Sequence, residues 1–177
     1  MEKREIIYLE FEVDKLTNSI ENAISGEVFN TLIRELTPSE FKLIKRNDWV
    51  FNWQNEIKSI NKQVFILTTS SNPLIIQGII SLTDKGDHIF MELIESAKFN
   101  KGKSKLYRGV AGNLVAFACK LSFEKKYEGV VSFIAKTQLI KHYQESLGAK
   151  LFSDNRMYID SKEAYQLTKK YFKNFQI

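Results

Sequence analysis

Leu106-Tyr107-Arg108-Gly109-Val110-Ala111-Gly112-Asn113-Leu114 places two glycines and an alanine at the start of an apolar helix. Glycine costs a helix about 1 kcal/mol relative to alanine, so two in one opening turn point to a purpose other than helix stability. Amides at a helix start are unpaired and carry the positive end of the macrodipole, and small residues let an anion approach them. Lys98, Lys101, Lys103, Lys105 and Arg108 lead into this turn with no acid among them, which adds attraction for phosphate. The segment reads as a diphosphate cradle, with tight helix packing beside a solvated basic loop as the plainer alternative.

Working outward, Val110, Leu114, Phe117, Ala118 and Leu121 recur at helical spacing and predict a helix that ends near Lys126. Residues 129–135 (GVVSFIA) then read as a short buried strand. Upstream, residues 64–69, 74–82 and 88–94 are β-rich runs separated by turn residues, and predict a three-stranded antiparallel meander. A strand, helix, strand unit of this length makes a right-handed parallel crossover, so the sheet is mixed. Residues 137–147 predict a helix closed by Gly148, followed by a strand at 156–159 and a helix at 162–172. Residues 5–13 read as a strand and residues 16–60 as helices, one starting near Ser39 with Glu40 at its positive end. The fold class is α/β, with helices on a mixed sheet.

The chain has 177 residues, of which 44% are hydrophobic, enough for one domain with its own core. A single cysteine, Cys119, rules out a disulfide framework, and with two histidines it is too few for a histidine and cysteine zinc site, so no metal is expected. The N-terminal stretch lacks the apolar run of a signal peptide, and no stretch nears the roughly 20 apolar residues of a membrane span. A cytoplasmic protein that takes no membrane partner is expected. The net charge of +5 favours anionic partners without identifying nucleic acid.

The segment at Gly109 resembles the coenzyme loop of the GNAT N-acetyltransferases, Q/R-x-x-G-x-G/A, which ends the fourth strand of that fold and opens its third helix. Gly109 and Ala111 fall on the two small positions, while Leu106 holds the leading one and Arg108 stands nearby. The resemblance runs over residues 74–158. Residues 137–149 resemble the family's N-x-x-A-x-x-x-Y-E-K-x-G-F element, with Thr137 at the asparagine position, Gln144 at the tyrosine position and Tyr143 one residue before it.

This resemblance implies a single GNAT-like domain over residues 1–177, with a substrate-side part at 1–62, a coenzyme-binding core at 63–160 and a C-terminal helix at 161–177. It implies acetyl-coenzyme A as co-substrate and direct attack of an amine on its thioester. The amine arrives mostly protonated, so a carboxylate assists. Glu92 is the first choice and Glu95 the second, and their odd spacing on a regular strand would aim them at opposite faces. Backbone groups at Ile94, Ser96 and Ala97 would hold the pantetheine as a strand holds an added one. Tyr107, Arg108, Gly109, Val110, Ala111, Gly112 and Asn113 would hold the diphosphate. Thr137 and Tyr143 would complete the coenzyme site, with Tyr143 protonating the departing thiolate.

Residues 97–104 also fit a relaxed phosphate-loop pattern, which taken literally predicts a nucleotide hydrolase. Against it, the first glycine is missing, Gly109 and Gly112 would interrupt the required helix, and GVVSFIA ends in no aspartate. Cys119 reads as core and His142 as a helix surface residue; Trp49, Phe51 and Trp53 read as core or as lining of a substrate cleft. The expected partner is a small-molecule or peptide amine, with a second copy of the chain and nucleic acid left open. Two other readings stand beside the enzyme: a basic nucleic-acid-binding module, and a GNAT fold that binds without catalysis.

Overall fold

In a computed structural model of the protein, residues 5–16 and 19–177 are described. The first four residues of the N-terminal stretch, and Thr17 and Asn18 of the region read as helical, lie outside them. The chain runs through β1 (Ile20–Asn22), β2 (Val28–Phe29), β3 (Thr31–Glu35), 3₁₀ turns at Pro38–Leu43 and Arg46–Asp48, and α1 (Trp53–Ile57). It continues through β4 (Gln63–Thr69), β5 (Gly78–Asp84), β6 (Ile89–Ser96), β7 (Tyr107–Arg108), α2 (Val110–Glu124) and β8 (Val131–Ile134). A 3₁₀ turn at Thr137–Leu139 leads into α3 (Ile140–Leu147), followed by β9 (Lys150–Ser153), β10 (Arg156–Ile159) and α4 (Ser161–Tyr171).

Seven strands form one sheet in the order β3-β4-β5-β6-β8-β10-β9, antiparallel except where β6 meets β8. The meander is β4-β5-β6, and the crossover through α2 delivers β8 parallel to β6, as the sequence predicts. A second sheet, β2-β1-β7, ties residues 20–29 to the turn before α2. Side chains on both faces of β4 and β5 are buried, among them Phe65, Ile66, Leu67, Ile79, Ile80 and Leu82. Helix α2 covers one face, where Val110 and Leu114 press against Gly78, and α4 packs on its far side. Residues 49–53 and α1 cover the other face, as Glu95 shows by turning toward Trp53.

Three expectations are corrected. Residues 5–13 carry the alternation of a strand but form only one bridge, Leu9 with Ala135, because they meet β8 at its end, just past Ile134, where no further strand edge continues a ladder. No α-helix starts at Ser39: residues 38–43 form a 3₁₀ turn, and the region read as helical contains β1, β2 and β3. Here Glu40 accepts from the Thr37 amide at 3.0 Å and hydroxyl at 2.8 Å and pairs with Arg34, so Thr37 rather than Ser39 closes the turn. The phosphate-loop segment also fails: Lys98–Asn100 is a 3₁₀ turn, and the following helix begins only at Val110. Among the described residues no helix is long and apolar enough to cross a membrane, and no group of histidine, cysteine and acidic residues is arranged to hold a metal.

Arg34 and the Thr37 donors pull the Glu40 carboxyl down from 4.5 to about 2. A depressed carboxyl stabilises the fold above its unfolded value, and that stability is lost as pH falls from about 4.5 toward 2. Glu40→Gln should therefore flatten the decline of unfolding free energy across this window, as read by denaturant titration at stepped pH. At Gly112, a β-carbon would lie 2.2 Å from the Tyr171 hydroxyl oxygen. Gly112→Ala should cost about 1–3 kcal/mol, and Tyr171→Phe should cost less in that background than in the native chain.

Candidate active site

The site forms where β6 and β8 part. They pair only at Ile89 with Val131 and Phe90 with Ser132, and then diverge. One irregularity on β6 shapes its edge: opposite Ser81 and Leu82 the register jumps from Leu93 to Met91, leaving Glu92 as an extra residue. The insertion resets the alternation, so Glu92 and Glu95, three apart, face the same side. Glu92 accepts from the Thr83 hydroxyl at 2.7 Å and lies 3.7 Å from Lys62, which also pairs with Glu56 of α1. The expectation of opposite faces is corrected by this bulge.

Glu95 lines a cavity of about 330 Å³ in the cleft, together with Ile94, Ser96, Val110 and Ala111. Its side chain is 1% exposed, and the carboxylate accepts four hydrogen bonds, from the Val50 amide (2.8 Å), the Phe51 amide (3.3 Å), Trp53 Nε1 (2.8 Å) and Lys101 Nζ (2.8 Å). It pins the segment over the cleft to the sheet. Trp49 and Trp53 are buried edge to face at 6.5 Å, while Val50 and Phe51 reach the cavity. Ala97 is turned away from this cavity, with its amide on the Gln77 carbonyl.

At the apex, Gly109 has φ +88°, and a β-carbon there would lie 3.1 Å from the Ser19 carbonyl oxygen, so only glycine fits without strain. Its amide donates to an anion from the chain itself, Asp14 Oδ1, at 2.9 Å. Lys105 Nζ donates to Asp14 Oδ2 at 3.0 Å and to Glu12 at 2.8 Å. Burial alone would lower the Lys105 ammonium's pKa, but these two carboxylates raise it. The amide at the helix start thus holds a carboxylate of the chain itself, and Asp14 is the residue that sequence reasoning missed. Gly112 is covered by Tyr171 and Leu16, and Asn113 donates to the Thr31 hydroxyl at 3.0 Å. Tyr107 packs edge-on against Phe29, and Arg108 is exposed. Lys98 and Lys101 bond to Asn47 and Glu95, although both are exposed, as Lys103 and Arg108 are.

Residues 9–14 lie in the splay. Leu9 donates its amide to Ile134 at 2.7 Å and accepts from Lys136 at 3.0 Å, adding one bridge to β8. Phe11 stacks on Tyr143 with ring centroids 4.4 Å apart, and the Tyr143 hydroxyl both accepts from the Phe11 amide (2.8 Å) and donates to its carbonyl (2.9 Å). Burial pushes the Tyr143 phenol well up from its ordinary value. The Val13 amide donates to His142 Nε2 at 3.0 Å, giving a partly buried histidine a partner the sequence did not suggest. Thr137 instead accepts from Asn155 at 2.8 Å at the rim. Cys119 is fully buried and its thiol is pushed up by desolvation, as core. Leu9, Phe11 and Val13 are at most 8% exposed, so each contributes about 1.5–3 kcal/mol of burial.

Because Glu95 takes four donors in a buried setting, Glu95→Gln should lower the unfolding free energy by about 2–4 kcal/mol. Glu92→Gln, with a partly exposed partner, should cost less than about 1 kcal/mol. Equal costs in chemical denaturation would show that the Glu95 contacts do not anchor residues 50–53.

No family model and no curated protein matches the sequence. Solved structures do match. A protein described as a streptothricin acetyltransferase from Bacillus anthracis strain Ames, in complex with acetyl coenzyme A, is 15% identical, with 73% of this chain and 95% of that one covered at a TM-score of 0.50. The spermidine/spermine N-acetyltransferase SpeG from Vibrio cholerae is 16% identical, with 77% and 96% covered at 0.54. AtaTR bound with AcCoA is 16% identical, with 78% and 98% covered at 0.55. These chains are matched nearly whole, while about a quarter of this one is left over, and residues 5–30 precede its main sheet. With its strand order, its splayed parallel pair and the glycine-started helix at the apex, the chain has the fold of the GNAT N-acetyltransferases.

Proposed function

We propose that the protein is an acyl-coenzyme A-dependent N-acyltransferase that acetylates an amine by direct attack. The observation that carries this reading is the parting of β6 from β8 with an anion site at its apex, Gly109 N and Lys105, already holding a carboxylate. A diphosphate would replace that carboxylate on the same donors, and the pantetheine would run along the edge of β6 near Ile94 and Ser96, which lacks a strand partner beyond Phe90. The amine nitrogen would attack the thioester carbon, the carbon–sulfur bond would break, and the leaving thiolate would take a proton from Tyr143. The proton lost by the amine would pass to a carboxylate. Glu95, which lines the cavity, stands closer to this path than Glu92, whose partners Thr83 and Lys62 lie outside it.

The alternative of a GNAT fold that binds without catalysis is favoured by one observation: both hydrogen-bonding functions of the Tyr143 hydroxyl are taken by Phe11. The basic nucleic-acid module is less supported, since Lys98, Lys101 and Lys105 are bonded within the protein.

Acetyl-coenzyme A at millimolar concentration should raise the melting temperature more than magnesium-ATP does, and a panel of small amines and peptides should release free coenzyme A thiol. Tyr143→Phe should lower turnover by about 100-fold or more without recovery at alkaline pH, because solvent base gives a thiolate no proton. Stabilisation by coenzyme A with no thiol release from any amine would favour binding without catalysis. Stabilisation by magnesium-ATP alone would overturn the assignment.

A further inference from the structure

We infer that residues 9–14 are an intramolecular strap that occupies the coenzyme cleft and holds the protein in a closed state which the coenzyme must displace. The inference rests on the acyltransferase reading above, because the groups the strap uses are the groups that reading gives to the coenzyme.

The coincidence runs the length of the cleft. At the apex, the Asp14 carboxylate sits on Gly109 N and Lys105 Nζ, where a diphosphate would sit. In the middle, the Phe11 backbone takes the Tyr143 hydroxyl, which would face the sulfur. At the open end, Leu9 bridges the edge of β8 that the splay exposes. Leu9, Phe11 and Val13 point inward, while Tyr8, Glu10 and Glu12 point to solvent, so the segment has the amphipathic alternation of an added strand. Strap and coenzyme therefore compete for the same donors, and Glu10, Phe11, Glu12 and Asp14 form one wall of the cavity that Glu95 lines.

The hold is also of a kind that can open. Leu9 makes a single bridge instead of a ladder, and residues 5–8 ahead of it are exposed. The polar contacts at Asp14 and Glu12 both converge on Lys105, so a polyanionic ligand challenges them together. Affinity measured on the native chain is the intrinsic affinity divided down by the fraction open; a strap closed about 99% of the time weakens it about 100-fold.

The test uses the full chain and titration calorimetry with coenzyme A. Asp14→Ala, which frees Gly109 N and leaves Lys105 with Glu12 alone, should tighten the apparent Kd by about tenfold or more. The paired substitutions Leu9→Cys and Ala135→Cys, at facing positions of the bridge, should block binding when oxidised and restore it on reduction; the native Cys119 is fully buried. If the oxidised pair binds coenzyme A as tightly as the reduced one, the strap does not exclude the coenzyme and the inference falls while the acyltransferase reading stands. If coenzyme A fails to bind Asp14→Ala although hydrogen exchange shows the Leu9 and Phe11 amides released, the cleft is not a coenzyme site, and both readings fall.

Discussion

Two parallel strands that begin as partners and then separate create an unusual demand. Beyond Phe90 and Ser132, the facing edges of β6 and β8 carry backbone donors and acceptors in the middle of the fold, out of reach of each other. Buried backbone groups of this kind have to be satisfied by something. The wedge persists because the crossover through α2 fixes β8 beside β6 at one end, while the extra residue at Glu92 bends β6 along its length. Fold and site are thus one fact: the same divergence that opens the sheet aims the start of α2 into the opening.

The surroundings reinforce that geometry from both faces. Gly78 lets Val110 and Leu114 press close to β5, which sets the depth of α2. The small β2-β1-β7 sheet holds Arg108 in extended conformation immediately before Gly109 takes its left-handed turn. On the opposite face, Glu95 draws Val50, Phe51 and Trp53 onto the sheet. One buried carboxylate organises one wall of the cleft, and one glycine amide holds Asp14 at its apex. Both do so through hydrogen bonds to charged groups, which are the stronger kind.

Much of this was legible in the sequence because it is encoded locally. The meander shows as β-rich runs broken by turn residues, α2 shows as helical spacing behind its glycines, and Gly148 ends α3 in the left-handed conformation that its position suggests. Residues 5–13 also announced an extended segment correctly in pattern, and the missing ladder reflects tertiary placement that alternation does not encode. The shared face of Glu92 and Glu95 was hidden because a single inserted residue inverts every inference drawn from period two. The acid at the helix start was hidden for a different reason. The loop from Lys98 to Arg108 contains no acid, and the counter-charges of Lys105 come from Glu12 and Asp14, more than 90 residues away in sequence. Their alternation with Leu9, Phe11 and Val13 was the available signal, since an amphipathic strand with acids on one side needs both an apolar wall and a base.

The ordering of the chain through the cleft bears on how the protein is made. Three residues of the segment 9–15 are made long before their partners: Leu9 meets Ala135, Phe11 meets Tyr143, 132 residues on, and Lys15 meets Tyr171, 156 residues on. At roughly 5–20 residues per second, synthesis of that interval takes on the order of ten seconds. For that time the apolar side chains of Leu9, Phe11 and Val13 have no cleft to enter, while the meander can already pair. The segment from Leu9 to Asp14 can therefore seat only after the strand and helix that receive it have been made.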